Sequence, residues 1–165
     1  MTSQSKMING SKEIWNNMNN KIPPPIVTLI CGLGIYFSSS FFPVYIFSIN
    51  NILSIFILLL GLGILFISAV SFKKHQTTIN PLKPEQASSL VISGVFSFSR
   101  NPMYLGMVFI LISISIKFNL LGGLLITSMF VLFITKFQII PEEAAMHKLF
   151  PKEFASYKEN TRRWI

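Results

Sequence analysis

Residues able to do chemistry are few in this chain, and they collect in two places. The first is the run Arg100-Asn101-Pro102-Met103-Tyr104-Leu105-Gly106, preceded by Ser93-Gly94-Val95-Phe96. It places a guanidinium, a helix-starting proline, a phenol and a glycine where a polar stretch enters an apolar segment. Pro102 presets the backbone of a first helical turn, whose free N–H groups bind anions or acceptor atoms. Arg100 is able to hold a carboxylate or phosphate. Tyr104 offers a ring and a hydroxyl, and Gly106, one turn on, lets a flat ligand approach the backbone. The second place is Pro141-Glu142-Glu143, just after the last apolar segment; the chain has 6 acidic residues in all, every one a glutamate. A carboxylate there suits an amino group or a cationic ligand. Both features also have plainer readings: acids in a first turn complement the helix dipole, and an arginine at a helix entrance reaches lipid headgroups.

The elements that must position these groups are membrane-grade. Of the 165 residues, 51% are hydrophobic and only 12% charged, about half the charged share of soluble domains, and mean hydropathy is +0.57. The apolar residues form four runs, residues 23–42, 51–72, 103–116 and 119–137. A spanning helix takes roughly 20 residues, so the first, second and fourth qualify. The third is short: it crosses a thinned region, borrows turns from Arg100–Met103, or forms a tight hairpin with the fourth. Lys117, Asn119 and Gly122-Gly123 mark the turn between them. The fold class that follows is an all-α integral membrane protein of about four transmembrane helices. Two are scaffold helices and two make a C-terminal hairpin, with a cytoplasmic amphipathic helix after it. Gly32 and Gly34, and Gly61 and Gly63, offer smooth faces for close packing of the scaffold.

The N-terminal 1–22 is polar and Asn-rich, without the apolar stretch of a cleavable signal, and is expected to fray or lie on the membrane surface. Charge sets orientation. Lys6, Lys12 and Lys21 precede the first run; Lys73, Lys74, Lys83 and Arg100 lie between the second and third; Lys148, Lys152, Lys158, Arg162 and Arg163 follow the fourth. The turn between the first two runs has no Lys or Arg, and the hairpin tip has only Lys117. Both termini and the 72–100 loop are thereby expected in the cytoplasm. The net charge of +8 is spread over juxtamembrane segments, which fits anionic lipid headgroups and not nucleic acid. Cys31 reads as a small hydrophobe. His75 and His147 are isolated, so no metal site is expected, and neither phosphate-binding glycine fingerprint nor a serine nucleophile elbow is present.

Two flanking stretches carry order of their own. The loop 75–99 contains Asn80-Pro81 and Lys83-Pro84, which forbid a continuous helix, and Leu90, Val91, Ile92, Val95, Phe96 and Phe98, which are expected to pack against the core. After the fourth run, Pro141 is expected to start a new helix. Its apolar positions, from Ala144 to Tyr157, recur at helical spacing with a break near Pro151. Trp164 suits a membrane interface.

From about residue 77 onward the chain resembles the superfamily of isoprenylcysteine carboxyl methyltransferases and phospholipid methyltransferases. The resemblance rests on Thr77-Thr78-Ile79-Asn80-Pro81, Leu90-Val91-Ile92-Ser93-Gly94-Val95-Phe96 and Arg100 to Gly106. It continues through Pro141-Glu142-Glu143 and Phe150-Pro151-Lys152-Glu153-Phe154-Ala155-Ser156-Tyr157 to Arg162-Arg163-Trp164. It implies that 23–72 is a two-helix scaffold and 73–165 the catalytic region, and that S-adenosylmethionine binds between the polar loop, the hairpin and the C-terminal helix. By position, Ser88, Ser89, Leu90, Val91 and Phe96 would line the nucleoside side. Arg100, Asn101, Pro102, Met103, Tyr104 and Gly106 would form the entrance, and Glu142 would face the amino group of the methionine part. Tyr104 and Glu143 are the candidate proton acceptors.

Two positions depart from the pattern. Asn101 stands where the family often has His, and Gln138 stands at the substrate position where the isoprenylcysteine enzymes carry an arginine for the acceptor's carboxylate. The acceptor implied is lipophilic, an isoprenylcysteine-like carboxylate or a phospholipid or small amine, reaching the site from the bilayer. Membrane sterol-type reductases, which use NADPH, are also similar in this half but carry Asn where this chain has Met103. A non-enzymatic membrane protein would share the helices without needing the ordered polar motifs.

Overall fold

The computed structural model describes residues 22–42, 49–77 and 82–165. The expectations for the N-terminal segment, with Lys6, Lys12 and Lys21, and for Thr78 to Pro81 lie outside the described residues. All regular structure among the described residues is helical. Helix α1 is Pro24–Ser38, α2 Asn50–Lys74, α3 Pro102–Phe118 and α4 Leu120–Ile134. A π-helical stretch, Thr135–Ile139, joins α4 to α5, Ile140–Leu149, and α6 is Pro151–Asn160. Two helices are long and apolar enough to cross a membrane, α2 with 25 residues and the continuous helix Leu120–Leu149 with 30. Large apolar side chains such as Phe56, Leu59 and Phe66 on α2 and Met129 and Leu132 on α4 point outward.

Helix α3 has 17 residues, about 25 Å of rise. It forms the tight hairpin: only Asn119 separates it from α4, accepting the Gly122 N–H at 3.1 Å through its side chain and donating to Ser38 Oγ at 3.2 Å. The turn closes because Gly123 has no Cβ; one placed there would lie 2.3 Å from Ser115 Oγ. Helix α3 also packs on both α1 and α2. It meets α2 closely at Gly61 and Gly106, where a Cβ on either glycine would sit 2.8 Å from the other's carbonyl oxygen. Gly106 therefore faces a helix and not a ligand, contrary to the expectation from its position after Tyr104.

Pro141 does not start a new helix. It lies inside the continuous one, in the first turn of α5. Proline lacks the N–H that bonds one turn back and crowds the carbonyl there. The π stretch just upstream absorbs the fault, with the Ile140 N–H reaching back five residues to the Thr135 carbonyl. As a result three consecutive side chains, Phe137, Gln138 and Ile139, are buried, which an unbroken α register does not allow on one face. The break near Pro151 is present, with Phe150 standing between α5 and α6.

The interior has two parts. One lies between the long helices, around Ile35, Met107, Leu111, Phe130 and Ile134. The other gathers Val91 and Phe96 of the loop against Phe154 and Tyr157 of α6, with Phe72 and Phe96 edge to face at 5.1 Å. Leu90, Val91, Val95 and Phe96 of the loop pack as expected, but Ile92 and Phe98 remain outside this cluster, Phe98 being 81% exposed.

Candidate functional site

A cavity of about 300 Å³ opens where the two parts of the interior meet, at the lower end of the size range of small-molecule pockets. Its walls come from the entry of α3, the start of α5, the 84–96 loop, α6, the C-terminal end of α2, and Pro24 and Pro25 of α1.

One side of the cavity is polar. Tyr104, at the first turn of α3, donates a hydrogen bond to Glu142 Oε1. Glu143, the next residue, is held differently. Arg100 donates to its Oε1 through Nη2 at 2.8 Å and Nε at 3.3 Å, while Arg163 donates to Oε1 through Nε at 3.1 Å and to Oε2 through Nη2 at 2.7 Å. Paired carboxylate and guanidinium groups of this kind are strong and directional. The carboxylate also raises the Arg163 pKa further above its already high value. Arg100 is further fixed by the Thr161 carbonyl at 2.5 Å. Asn101 donates through Nδ2 to the Arg163 carbonyl at 3.0 Å, and no side chain caps the first turn of α3, which leaves its N–H groups open to a ligand.

The other side is apolar, with Leu90, Val91, Phe96, Met146 and Phe154. Tyr157 closes it, its hydroxyl donating to the Phe96 carbonyl at 2.5 Å; burial pushes that phenol's pKa upward. A cavity with a carboxylate and open N–H groups at one end and aromatic and aliphatic walls at the other matches a ligand that carries an ammonium, a carboxylate and a flat heterocycle.

Most of the residues expected at the site are brought together. Ser89, Leu90, Val91, Phe96, Arg100, Asn101, Pro102, Met103, Tyr104, Glu142 and Glu143 all line the cavity. Three do not, each for a physical reason. Gly106 is taken up by the crossing with Gly61. Ser88 is exposed, and its hydroxyl donates to the Gln76 carbonyl at 2.8 Å, closing off the end of α2. Gln138 is fully buried in the π stretch, and its Nε2 donates to the Ile22 carbonyl at 2.8 Å.

Several lining residues escape a reading of the sequence. Pro24 and Pro25 look like a mere helix start, though a proline-led entrance also makes a rigid wall. Met107 lies four residues after Met103 and so on the same face, a signal that was available. The partnership of Arg163 with Glu143 had no signal beyond the presence of an arginine in the tail.

Among the described residues no group of His, Cys or acidic side chains is able to hold a metal ion. The family model described as phospholipid methyltransferase matches residues 49–153 of the chain. No curated protein and no solved structure matches it.

Proposed function

Since the chain belongs to the phospholipid methyltransferase family, we propose that it transfers the methyl group of S-adenosylmethionine to an amine of a lipophilic acceptor at the cytoplasmic face of a membrane. The single observation that carries this reading is the pairing of Tyr104 with Glu142 at one end of a cavity whose other end is apolar. The cofactor supplies a methyl group already activated on a sulfonium.

The chain's own residues then bind, orient and exclude water. Glu142 receives the cofactor's ammonium. The open N–H groups at the start of α3 receive its carboxylate, and Leu90, Val91 and Phe96 enclose the nucleoside. Alignment of this kind accounts for about 7–11 kcal/mol of barrier lowering in well-oriented systems. Glu143 has its charge taken by two guanidinium groups, so it orients and does not accept a proton. Tyr104, whose hydroxyl donates to Glu142, holds that carboxylate toward the cofactor's ammonium, and the acceptor amine gives up its proton to solvent.

The choice of an amine follows from the cations near the cavity. Arg100, the cationic side chain in the lining, is bound to Glu143 and to the Thr161 carbonyl. Position 138 presents a buried amide turned to Ile22. Among the described residues lining the cavity, a carboxylate acceptor therefore meets no positive charge outside an ion pair, whereas an amine needs none. Pro24 and Pro25 of α1 and Met103 and Met107 of α3 line the cavity, and in this reading they form the side by which a lipid-borne acceptor enters from the bilayer.

In this reading the two shorter apolar helices, α1 and α3, cross the membrane beside α2 and the continuous helix Leu120–Leu149, with both termini cytoplasmic. Support comes from Lys73, Lys74, Lys83, Lys148, Lys152 and Lys158 at the cavity end, against Lys117 alone at the hairpin tip. The test is thermal unfolding in detergent with S-adenosylmethionine, S-adenosylhomocysteine and NADPH. At a hundredfold excess over its dissociation constant a ligand of the folded state adds about 2.7 kcal/mol. Stabilisation by both adenosyl compounds and not by NADPH is expected. Stabilisation by NADPH alone, or by none of the three, overturns the proposal.

A further inference from the structure

The tail after α6 is tied down more heavily than the chain needs to end a helix. Residues 161–164 bond to three separate elements. The Thr161 hydroxyl donates to the Ser97 carbonyl at 3.4 Å, the Arg162 carbonyl accepts from the Arg100 N–H at 3.0 Å, and Trp164 Nε1 donates to Thr135 Oγ1 at 3.2 Å. Arg163 differs from its neighbours because it engages two walls of the cavity at once. Its carbonyl accepts from Asn101 Nδ2 at 3.0 Å and from Ser99 Oγ at 3.4 Å, on the entry to α3. Its guanidinium takes both oxygens of Glu143, on α5. Arg163 itself is not part of the lining.

The two glutamates are consecutive in one helical turn, so fixing the side chain of Glu143 fixes the backbone that carries Glu142. Both Arg100 contacts fall on Glu143 Oε1, and Oε2 is reached by Arg163. With Arg163 absent, Glu143 would hang from one oxygen and the carboxylate plane would be free to turn. Two guanidinium groups also neutralise Glu143, while neither ion pair includes Glu142. A cationic ligand entering the cavity thus meets one carboxyl group outside any ion pair, held by the Tyr104 hydroxyl, and not a competing pair.

We propose that Arg163 is a positioning residue of the cofactor site. Acting through Glu143 on one wall and Asn101 on the other, it sets the distance across which Glu142 and the start of α3 grip a single ligand. The inference rests on the reading of the cavity as an adenosyl-cofactor site.

The experiment measures S-adenosylhomocysteine affinity by calorimetry, together with ligand-free melting temperature, on the full chain in detergent. The variants are Arg163→Gln, Arg163→Lys, Glu143→Gln, the Arg163→Gln/Glu143→Gln double variant and Trp164→Phe. Misplacing a gripping group costs about 10- to 100-fold, so Arg163→Gln and Glu143→Gln should each weaken binding by at least about tenfold. The double variant should be no weaker than either single one, because both remove one linkage. Arg163→Lys, which keeps the charge but not the fork, should recover part of the loss. Trp164→Phe, which loosens the tail without touching Glu143, should stay within about twofold of the wild type.

An Arg163→Gln variant that melts earlier but binds like the wild type reduces Arg163 to a structural tie and overturns the proposal. So does a Trp164→Phe variant that binds as weakly as Arg163→Gln, since tail anchoring alone would then explain the effect. A wild-type protein that binds no adenosyl compound removes the cofactor reading itself, and the proposal falls with it.

Discussion

The hairpin of α3 and α4 is polar at both ends, and the two ends use polarity in opposite ways. At the turn most polar groups find a partner within one turn of their own helix, the exception being Asn119 Nδ2, which reaches Ser38 on α1. The Ser115 hydroxyl bonds the Leu111 carbonyl one turn back at 2.6 Å, and Ser38 bonds Ile35 at 2.9 Å. Asn119 caps the next helix, and the glycines leave no space between the helices. At the cavity end the partners lie far apart in sequence: Tyr104 with Glu142, Arg100 and Arg163 with Glu143, Asn101 with Arg163. There the side chains surround a void. Short-range satisfaction with tight packing marks a structural end; long-range convergence around space marks a site. In lipid, where unpaired polar groups cost several kcal/mol, that contrast is sharper than it would be in water.

Substitutions can break this division in turn. Gly123→Leu should do the greatest damage, because even a Cβ collides with Ser115; overpacking of this severity costs about 3 kcal/mol or more. The expected result is loss of monodisperse protein on size-exclusion chromatography, with or without cofactor. Glu142→Gln comes next and acts at the other end. It should weaken S-adenosylhomocysteine binding by the loss of a charged hydrogen bond, about 1.5–3 kcal/mol, while ligand-free melting stays near that of the wild type. Equal loss of stability and affinity in this variant would erase the distinction between the ends.

Asn119→Ala should lower stability by about 1 kcal/mol through the lost helix cap, read as an earlier melting transition with unchanged ligand affinity. Smallest of all, Ser88→Ala should cost no more than about 1 kcal/mol of stability and leave binding untouched. Weaker binding there would return Ser88 to the cofactor's contacts, where its sequence position had put it.

Much of this arrangement was legible before any coordinates. The apolar runs marked the helices because lipid requires long uninterrupted segments. The order of the loop, the Arg100 to Tyr104 entrance and the acidic pair located the cavity, because unusual residues in an apolar chain stand out. What stayed hidden depends on pairings distant in sequence. Gly106 looked free to meet a ligand until α2 was seen to cross it at Gly61. Arg163 and Glu143 are 20 residues apart, with a helix break between them that no periodicity spans. Pro141 read as a helix start because proline usually is one; that the helix runs on depends on a local widening that packing, and not propensity, sustains.

That widening makes the site depend on a count as well as on identity. Each residue of an α-helix advances the face by about 100°, and the stretch Thr135–Ile139 holds one residue more than a regular turn would. Losing any one of those five residues would leave every functional side chain in the sequence intact. It would nonetheless take out the extra residue and close the stretch into a regular turn, bringing Pro141, which has no N–H to give and crowds the carbonyl one turn back, into an unbroken α ladder. In a lineage carrying this helix, a single-codon deletion in that stretch would be felt first as a kink at Pro141 and not as the loss of a chemical group.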